Sequence, residues 1–315
     1  MNISIVYPGV GSQYTGMGKA QYDQFSIVRD TFNEASETVK ADLASICFDE
    51  ARKADLDKLS NAQICIFTLS IALYRLLNSQ ISIAPNYCCG YSLGEYSALC
   101  SSGAISLHEA IKLIELRSSI LQNITDLRIG SMLWVINMDV NTTEQICKDL
   151  RADGYNVYIS GYNSQKMTAV SGDNVSISKA IELFEEFGAL VVPLELTGPY
   201  HCSLMHEAAE YMSEITNKYT FNKLSNPVLA NWNACLYEYG QYSQYLVNQL
   251  VYPIHWMQTM QKIFISNPDM IIEVGPKEVL TYISRKSDAN VSALSMDTIE
   301  NLERICEFYE NSSMH

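Results

Sequence analysis

The chain has 315 residues, of which 48% are hydrophobic and 18% charged, and 35 acidic against 21 basic side chains give a formal net charge of −14 at pH 7. This composition excludes a disordered chain, because it is apolar enough for a packed core. The acidic excess excludes a generic nucleic-acid-binding protein, which needs a basic surface. The length predicts two globular units, or one large domain that carries an insertion.

The nine cysteines form no C-x-x-C pair and no spaced Cys/His cluster. This pattern argues against a zinc site and predicts free thiols in a reducing, cytoplasmic compartment. The first residues lack the basic start and the apolar stretch of a signal peptide. The longest nearly uncharged apolar run, over 64–74, is too short to cross a bilayer, which takes about 20 residues. It predicts a buried helix.

The first 126 residues alternate short β-branched runs with longer helical patterns, which is typical of an α/β domain with a largely parallel sheet. Ser106 and Glu109 have the spacing of a capping box, which predicts the start of a helix near Leu107. The other elements predicted here are a strand over 3–7, helical segments to Leu77, a strand over 86–89 and a helix over 93–101.

The pattern changes between about Gly130 and Leu196. The predicted elements are a strand over 132–137, a helix over 143–151, strands over 155–160 and 167–171, a helix over 175–187 and a strand over 189–196. This order is the split βαβ, ferredoxin-like pattern. It predicts a small subdomain over 127–197, inserted in a larger α/β domain made of 1–126 and 198–315. A late strand is predicted over 270–274, and the residues beyond about Ala293 carry no usable pattern.

The strongest local signal is a G-x-S-x-G motif at 90–94, between a predicted strand and a predicted helix. That context is typical of a nucleophile elbow. The turn is too tight for side chains at the glycine positions, and the helix that follows directs amide groups and its positive end at the reacting oxygen. Ser92 is therefore a candidate nucleophile. The alternative is an ordinary strand-to-helix turn.

A serine hydroxyl is a weak nucleophile and needs a base, usually a histidine at neutral pH. Of the five histidines, His315 is terminal, His108 lies within the capping box and His255 lies among helical aromatics. His206 falls in a predicted helix, whereas His201 lies in a loop at the end of the small subdomain, where catalytic groups gather. His201 is the candidate base, and a purely structural loop histidine is the alternative.

A charge occupies an unexpected place in the helix predicted from Leu107. Arg117 falls in the middle of an apolar stripe with helical spacing, formed by Ala110, Leu113, Ile114, Leu121 and Ile124. A guanidinium on a core-facing stripe needs an anion, because an unpaired buried charge is costly. The anion is either an Asp or Glu of the chain, which is the commoner case, or a bound acidic ligand. Because this helix follows the elbow helix directly, Arg117 could reach the site.

The first loop, over 8–18, is rich in glycine but matches neither the dinucleotide-binding motif nor the P-loop. Position 14 is a tyrosine, and no lysine follows in register. Such a loop lies at the carboxyl edge of its strand, where it can offer a backbone amide to a developing oxyanion. The alternative is a plain tight turn.

Together these motifs resemble the malonyl-CoA:acyl-carrier-protein transacylase family, which includes the discrete, trans-acting acyltransferases of polyketide and hybrid assembly lines. The similarity runs from Ile3 to about Lys286. The resemblance implies a hydrolase-like α/β core with a mostly parallel sheet and an inserted ferredoxin-like α+β subdomain. Its markers are P-G-x-G-S-Q at 8–13, G-x-S-L-G-E at 90–95, Arg117, Tyr-Asn-Ser at 162–164, the His201 loop, Asn-Gln-Leu at 248–250 and Glu-Val-Gly-Pro at 273–276.

The resemblance implies a ping-pong acyl transfer. Ser92, with His201 as its base, would attack the thioester of an acyl-CoA or acyl-carrier donor, and the phosphopantetheine thiol of an acyl carrier protein would then accept the acyl group. The backbone amides of Val10 and Leu93 would form the oxyanion hole. Arg117 would bind the free carboxylate of a malonyl-type group as a bidentate pair.

The family uses no acid to orient the histidine, and the backbone carbonyl of Gln249 would do so here. Asn163 would help to shape the surroundings of the histidine. The chain departs from the family in having Val10 where Gln is usual, Tyr91 where His is usual and Tyr200 where Ser or Phe is common. Because the two tyrosines adjoin the nucleophile and the base, they would line the pocket for the α-carbon. The substrate is therefore either malonyl, which is the leading candidate, or a malonyl unit with an α-hydroxy or α-amino substituent.

The implied partner is an acyl carrier protein, and acyl-CoA or acyl-phosphopantetheine is a substrate rather than a bound cofactor. We expect no metal, permanent cofactor, nucleic acid or membrane partner, and we expect a monomer. One alternative is an editing acyl hydrolase, which Arg117 argues against because an apolar chain offers that charge no partner. The other is a non-catalytic docking protein, which the intact Ser92 and His201 argue against.

Overall fold

The computed structural model describes residues 1–127, 129–194 and 198–313, and only the backbone of residues 124–126 and 313. The first part contains β1 (Ile3–Tyr7), α1 (Lys19–Gln24), α2 (Ser26–Val39), α3 (Leu43–Phe48), α4 (Lys53–Leu56), α5 (Leu59–Gln80), β2 (Tyr87–Gly90), α6 (Gly94–Ser101) and α7 (Leu107–Asp126). The middle part contains β3 (Ser131–Ile136), α8 (Val140–Ala152), β4 (Val157–Ser164), β5 (Met167–Gly172), α9 (Asn174–Glu186) and β6 (Leu190–Pro193). The last part contains α10 (His206–Thr216), β7 (Val228–Leu229), α11 (Tyr242–Val251), α12 (Trp256–Ile265), β8 (Met270–Glu273), α13 (Val279–Ser287), β9 (Ala293–Ser295) and α14 (Ile299–Ser313).

The chain divides into two compact units. The first consists of 1–118, 220–229 and the chain from 261 onwards, and the second of 119–219 and 230–260. The second unit thus contains the whole of the predicted small subdomain and further segments on both sides of it. The domain boundaries predicted from the sequence, at 127 and 197, stay a prediction.

The first unit is built on a five-stranded sheet in the order β7-β2-β1-β8-β9, with every pairing parallel. All five residues of β1 are buried, as expected for a strand inside a parallel sheet. Tyr7 lies opposite Gly90, and Val6 lies opposite Glu273. The carboxyl ends of β1, β2 and β8 therefore meet at one edge, where α/β sheets bind their ligands. The predicted α/β core with a mostly parallel sheet is confirmed.

The helix α5 contains the apolar run predicted to be a buried helix. Its 22 residues are long and apolar enough to cross a membrane by length and composition alone. However, 72% of its most apolar 18-residue window is buried inside the protein. A core helix passes the same test, so this burial agrees with the prediction of a helix packed in the core.

The second unit contains a four-stranded antiparallel sheet in the order β4-β5-β3-β6. With α8 and α9 this is the predicted ferredoxin-like subdomain, which is confirmed. Its core includes Leu133, Val170 and Phe184. The strand predicted over 155–160 is observed at Val157–Ser164. The prediction ended too early because two register shifts interrupt the alternating pattern of this strand.

The end of the chain, for which the sequence predicted nothing, forms β9 and α14. The strand β9 is three buried residues long and pairs with β8. Such a short strand has no periodicity to detect. The helix α14 buries Leu302 and Ile305 among many exposed polar residues, so its apolar pattern is sparse.

Candidate active site

The motif at 90–94 forms a sharp turn between β2 and α6. Ser92 has a φ of 52°, in the left-handed region that a residue with a side chain rarely adopts. The turn is held by a hydrogen bond from the Tyr91 amide to the Tyr7 carbonyl (2.9 Å) and one from the Gly94 amide to the Tyr91 carbonyl (2.9 Å). Residues with a side chain that are held in the left-handed region are strained, and they persist only where the surrounding structure fixes the backbone. Such residues cluster at active sites.

The two flanking glycines are needed because the backbone passes too close for a side chain. A Cβ atom added to Gly90 would lie 1.9 Å from the carbonyl carbon of Gly94. A Cβ atom added to Gly94 would lie 2.1 Å from the carbonyl oxygen of Tyr7. These distances are inside van der Waals contact, so the elbow packs directly against the end of β1.

The loop after β1 runs against the elbow. A Cβ atom added to Gly9 would lie 2.7 Å from the Tyr91 carbonyl oxygen. The loop is closed by the Ser12 hydroxyl, which donates to the Gly9 carbonyl (2.7 Å), and by the Lys277 ammonium, which donates to the Gly11 carbonyl (2.9 Å). The backbone next to Val10 is therefore fixed beside the serine turn. Leu93 is buried at the start of α6, whose amide groups carry a partial positive charge.

The helix α7 begins at Leu107 with the predicted capping box. The Glu109 amide donates to the Ser106 hydroxyl (3.2 Å), and the Ser106 amide donates to the Glu109 carboxylate (3.4 Å). The predicted apolar stripe is buried from Ala110 to Leu121, and the Ile124 side chain lies outside the described residues. The stripe therefore places Arg117 in the interior.

Arg117 is only 3% exposed, and the carboxylate of Glu95, which is fully buried in α6, acts electrostatically on the neighbouring Tyr96 as Arg117 does, but in the opposite direction. Nη1 of Arg117 donates to the amide oxygen of Gln63 on α5, and its guanidinium carbon lies 5.5 Å from the centre of the Tyr96 ring on α6. Among the described residues, no Asp or Glu forms an ion pair with it, and its Nε has no hydrogen-bond acceptor. The commoner of the two predicted partners, an internal carboxylate, is therefore not found in this part of the chain.

Burial dominates the electrostatics of Tyr96. Removal from water raises the pKa of this phenol to about 12, although the positive charge of Arg117 acts in the opposite direction. Tyr96 is therefore a neutral hydrogen-bonding group at physiological pH, and it does not cancel the charge of the guanidinium.

His201 lies in the second unit, in the loop that precedes α10. It is 5% exposed and has a φ of 60°, so this residue too occupies the left-handed region. Its Nδ1 lies 2.7 Å from the backbone carbonyl oxygen of Gln249. Because a carbonyl oxygen can only accept, Nδ1 carries the proton and the neutral ring has Nε2 as its basic nitrogen.

The neighbours of His201 are held in place by buried contacts. The Tyr200 carbonyl accepts from the Ser171 hydroxyl (2.8 Å), and the Tyr200 hydroxyl donates to the Leu121 carbonyl (3.5 Å). A Cβ atom added to Gly198 would lie 2.5 Å from the Tyr200 ring, so the ring packs over this glycine. Burial raises the pKa of the Cys202 thiol to about 12, which makes it a poor nucleophile at neutral pH.

The structure places the predicted site residues in two sets. The first unit contains Val10, Tyr91, Ser92, Leu93 and Arg117, and the second contains Asn163, Tyr200, His201 and Gln249. Asn163 is buried in β4, and Tyr91 is half-buried at the elbow. Among the described residues, no group of three His, Cys, Asp or Glu side chains is arranged to hold a metal ion.

Sequence reasoning missed Gln63 and treated Glu273 only as part of a motif. Gln63 is fully buried, and the signal that could have revealed it is a polar amide next to the longest apolar run. Glu273 is also fully buried, and its carboxylate accepts from the amides of Leu280 (3.1 Å) and Thr281 (2.7 Å) at the start of α13. Burial raises the pKa of Glu273 to about 7.

Glu273 is expected to make stability depend on pH. Between its unfolded pKa near 4.5 and its native pKa near 7, the native state binds the extra proton, so the free energy of unfolding falls as pH rises. The full shift corresponds to roughly 3 kcal/mol. Urea unfolding at pH 5 and pH 8 should show a smaller decrease for Glu273→Gln than for the parent. Equal decreases would contradict the assignment, and the exposed Glu300→Gln is the matched control.

A serine elbow at the carboxyl edge of a parallel sheet, combined with a ferredoxin-like subdomain, defines an α/β enzyme of acyl-group chemistry. The chain belongs to the acyl transferase domain family, whose model matches residues 5–302. It is 30% identical over 303 residues to the malonyl CoA-acyl carrier protein transacylase of Bacillus subtilis strain 168, covering 96% of this chain and 95% of the relative.

Solved structures agree with this assignment over the whole chain. The malonyl CoA-acyl carrier protein transacylase of Clostridium perfringens is 29% identical and has a TM-score of 0.93, with 100% of this chain and 99% of that chain covered. A malonyl-transacylase solved in complex with its type II polyketide synthase acyl-carrier protein is also 29% identical with a TM-score of 0.93, and the coverage is 98% and 99%. The predicted family and fold are confirmed.

Proposed function

We propose that this protein transfers a malonyl group from malonyl-CoA to the phosphopantetheine thiol of an acyl carrier protein through an acyl-serine intermediate. The observation that carries the proposal is the buried charge of Arg117, which has no carboxylate partner among the described residues. A malonyl group supplies that carboxylate and matches the planar fork of a guanidinium. The similar transacylases from Bacillus subtilis and Clostridium perfringens support the same substrate.

In the first half-reaction, Nε2 of His201 takes the proton of the Ser92 hydroxyl as the oxygen attacks the thioester carbonyl. The backbone amides of Val10 and Leu93 stabilise the oxyanion. When the tetrahedral intermediate collapses, the C–S bond breaks, and the CoA thiol leaves with the proton from His201. The malonyl group is then held as an ester on Ser92.

In the second half-reaction, His201 takes the proton of the carrier's phosphopantetheine thiol, and the sulfur attacks the ester carbonyl. Collapse of this intermediate returns the proton to the oxygen of Ser92 and releases the malonyl-carrier thioester. The Gln249 carbonyl keeps the proton of His201 on Nδ1 throughout. Asn163 shapes the surroundings of His201. We place the reaction in the cytoplasm, because the nine cysteines are free thiols, as expected in a reducing compartment.

Tyr91 adjoins the nucleophile in the chain and Tyr200 adjoins the base, so we expect both tyrosines to influence which α-substituent is accepted. Tyr200 is buried and directly precedes His201, so we expect a larger side chain than serine at this position to favour malonyl over units with a larger α-substituent. A panel of acyl-CoA donors, measured by intact mass of the acyl-enzyme, tests this preference. Faster loading of an α-hydroxy or α-amino malonyl unit than of malonyl would assign the substituted unit instead.

Transfer to a carrier distinguishes this function from an editing hydrolase. The protein is loaded with radiolabelled malonyl-CoA and then mixed with a holo acyl carrier protein. We expect most of the label to appear on the carrier thiol and little as free malonate. Release of free acid as the main product would establish the hydrolase instead, and no adduct from any carboxylated acyl-CoA would rule out the proposed transferase.

A further inference from the structure

Lys277 lies in the short loop between β8 and α13, and its ammonium donates to the Gly11 carbonyl oxygen (2.9 Å). The lysine is half-buried, and its φ of 63° lies in the left-handed region. Its own carbonyl accepts from the hydroxyl of the buried Ser295 in β9, which fixes the backbone at this position. In the part of the chain that the structure describes, no Asp or Glu forms an ion pair with Lys277. The loop over 8–18 therefore receives a cation that no carboxylate neutralises there.

The carbonyl that accepts from Lys277 belongs to the same peptide unit as the Ser12 amide. Because a trans peptide unit is planar, its C=O and its N–H point in opposite directions. The Ser12 amide donates to the Gly9 carbonyl oxygen (3.3 Å), and the buried Ser12 hydroxyl donates to the same oxygen (2.7 Å). One peptide unit thus connects the ammonium to the Gly9 carbonyl.

The Gly9 carbonyl belongs in turn to the same peptide unit as the Val10 amide, which is the proposed oxyanion donor. The two hydrogen bonds from Ser12 to the Gly9 oxygen fix the plane of this unit, so the Val10 N–H points away from Ser12. The two peptide units therefore lie head to tail. Each has its carbonyl on the side of Lys277 and its N–H on the other side.

This arrangement has an electrostatic consequence for the Val10 amide. Hydrogen-bonded groups in series polarise one another, and a charged donor at one end makes a stronger hydrogen bond than a neutral one. The ammonium polarises the Gly11 carbonyl, so the Ser12 N–H becomes a stronger donor, and the next peptide unit repeats the effect at the Val10 N–H. A developing oxyanion gains most from this, because its negative charge arises only in the transition state.

We propose that Lys277 is a positioning residue for acyl transfer: through the two peptide units Gly11–Ser12 and Gly9–Val10, its ammonium orients and polarises the amide that stabilises the oxyanion. This inference rests on the proposed function and adds to it a residue that does not touch the substrate. The effect depends on the charge at position 277 and is independent of the carboxylate of the acyl group. Malonyl and acetyl transfer are therefore affected equally, in contrast to the expected effect of Arg117.

The test is Lys277→Met, assayed in single turnovers for acylation of Ser92 by malonyl-CoA. We expect the rate constant at saturating donor to fall about 10-fold at an unchanged half-saturating concentration, because the lost interaction belongs to the transition state. Acylation by acetyl-CoA should fall by the same factor. Methionine keeps the length and the Cβ atom of lysine, so the left-handed backbone gains no new strain.

Two conservative variants separate the charge from the hydrogen bond. Lys277→Arg keeps both and should stay within about twofold of the parental rate. Lys277→Gln keeps a donor for the Gly11 carbonyl but loses the charge, so its rate should fall about 5-fold. A parental rate in Lys277→Gln would reduce the lysine to a structural tie and would overturn the inference, as would a parental rate in Lys277→Met.

A second donor, malonyl-N-acetylcysteamine, lacks the phosphates of CoA, and we expect the same loss in Lys277→Met with this thioester. A loss confined to malonyl-CoA would mean that the lysine binds the CoA phosphates, and the inference would fail. The matched control is Lys223→Met, the same substitution at an exposed lysine of the same unit, which should keep the parental rate. If the parent itself forms no acyl-enzyme with malonyl-CoA, the proposed function fails first, so the two failures are distinguishable.

Discussion

The Ser92→Ala variant is expected to lose acyl-enzyme formation with malonyl-CoA, with a drop in transfer rate of about 10⁴-fold or more. The reason is that the Ser92 hydroxyl carries the acyl ester in the proposed mechanism. Alanine fits the same backbone as serine, so the left-handed conformation at this position imposes no new strain. Intact mass after incubation with malonyl-CoA should show one added malonyl group in the parent and none in the variant.

Persistence of the adduct in Ser92→Ala would place the nucleophile elsewhere and refute the elbow assignment. Cys202, which follows His201 in the chain, is a poor substitute, because burial raises the pKa of its thiol to about 12. The matched control is Ser101→Ala, which removes a hydroxyl from the end of the same elbow helix. We expect this control to load malonyl like the parent.

The Arg117→Ala variant is expected to change which acyl group is accepted. Loss of a desolvated, bidentate charge pair should lower the efficiency of malonyl loading by roughly 100- to 1000-fold. Loading of acetyl, which has no carboxylate, should change little. The measurement is the rate of acylation by malonyl-CoA and by acetyl-CoA, each read by intact mass.

Two further variants sharpen this experiment. Arg117→Lys keeps the charge but loses the planar fork, so its malonyl loading should lie between those of the parent and Arg117→Ala. Arg75→Ala removes a half-exposed guanidinium that pairs with Glu34 and should leave both rates unchanged. An equal loss of malonyl and acetyl loading in Arg117→Ala would refute the role in carboxylate binding.

Most of the fold could be predicted because short-range sequence patterns indicate its helices and strands. The ferredoxin-like order of strands and helices and the capping box of α7 follow from periodicity and spacing over a few residues. The missed elements lack such patterns: β9 is three residues long, and the register shifts of β4 break its alternation. The site was partly predictable for the same reason, since the elbow at 90–94 is one continuous motif.

The sequence by itself determined the nucleophile turn, the core-facing position of Arg117 and, through its motifs, the family. Only the tertiary structure decided which partner each polar group has. Arg117 donates a hydrogen bond to the amide oxygen of Gln63 rather than to a carboxylate, and Nδ1 of His201 donates to the backbone carbonyl of Gln249. These partners are 54 and 48 residues apart along the chain. Local periodicity reports which face of a helix is buried, but the packing of distant elements selects the partner that meets it.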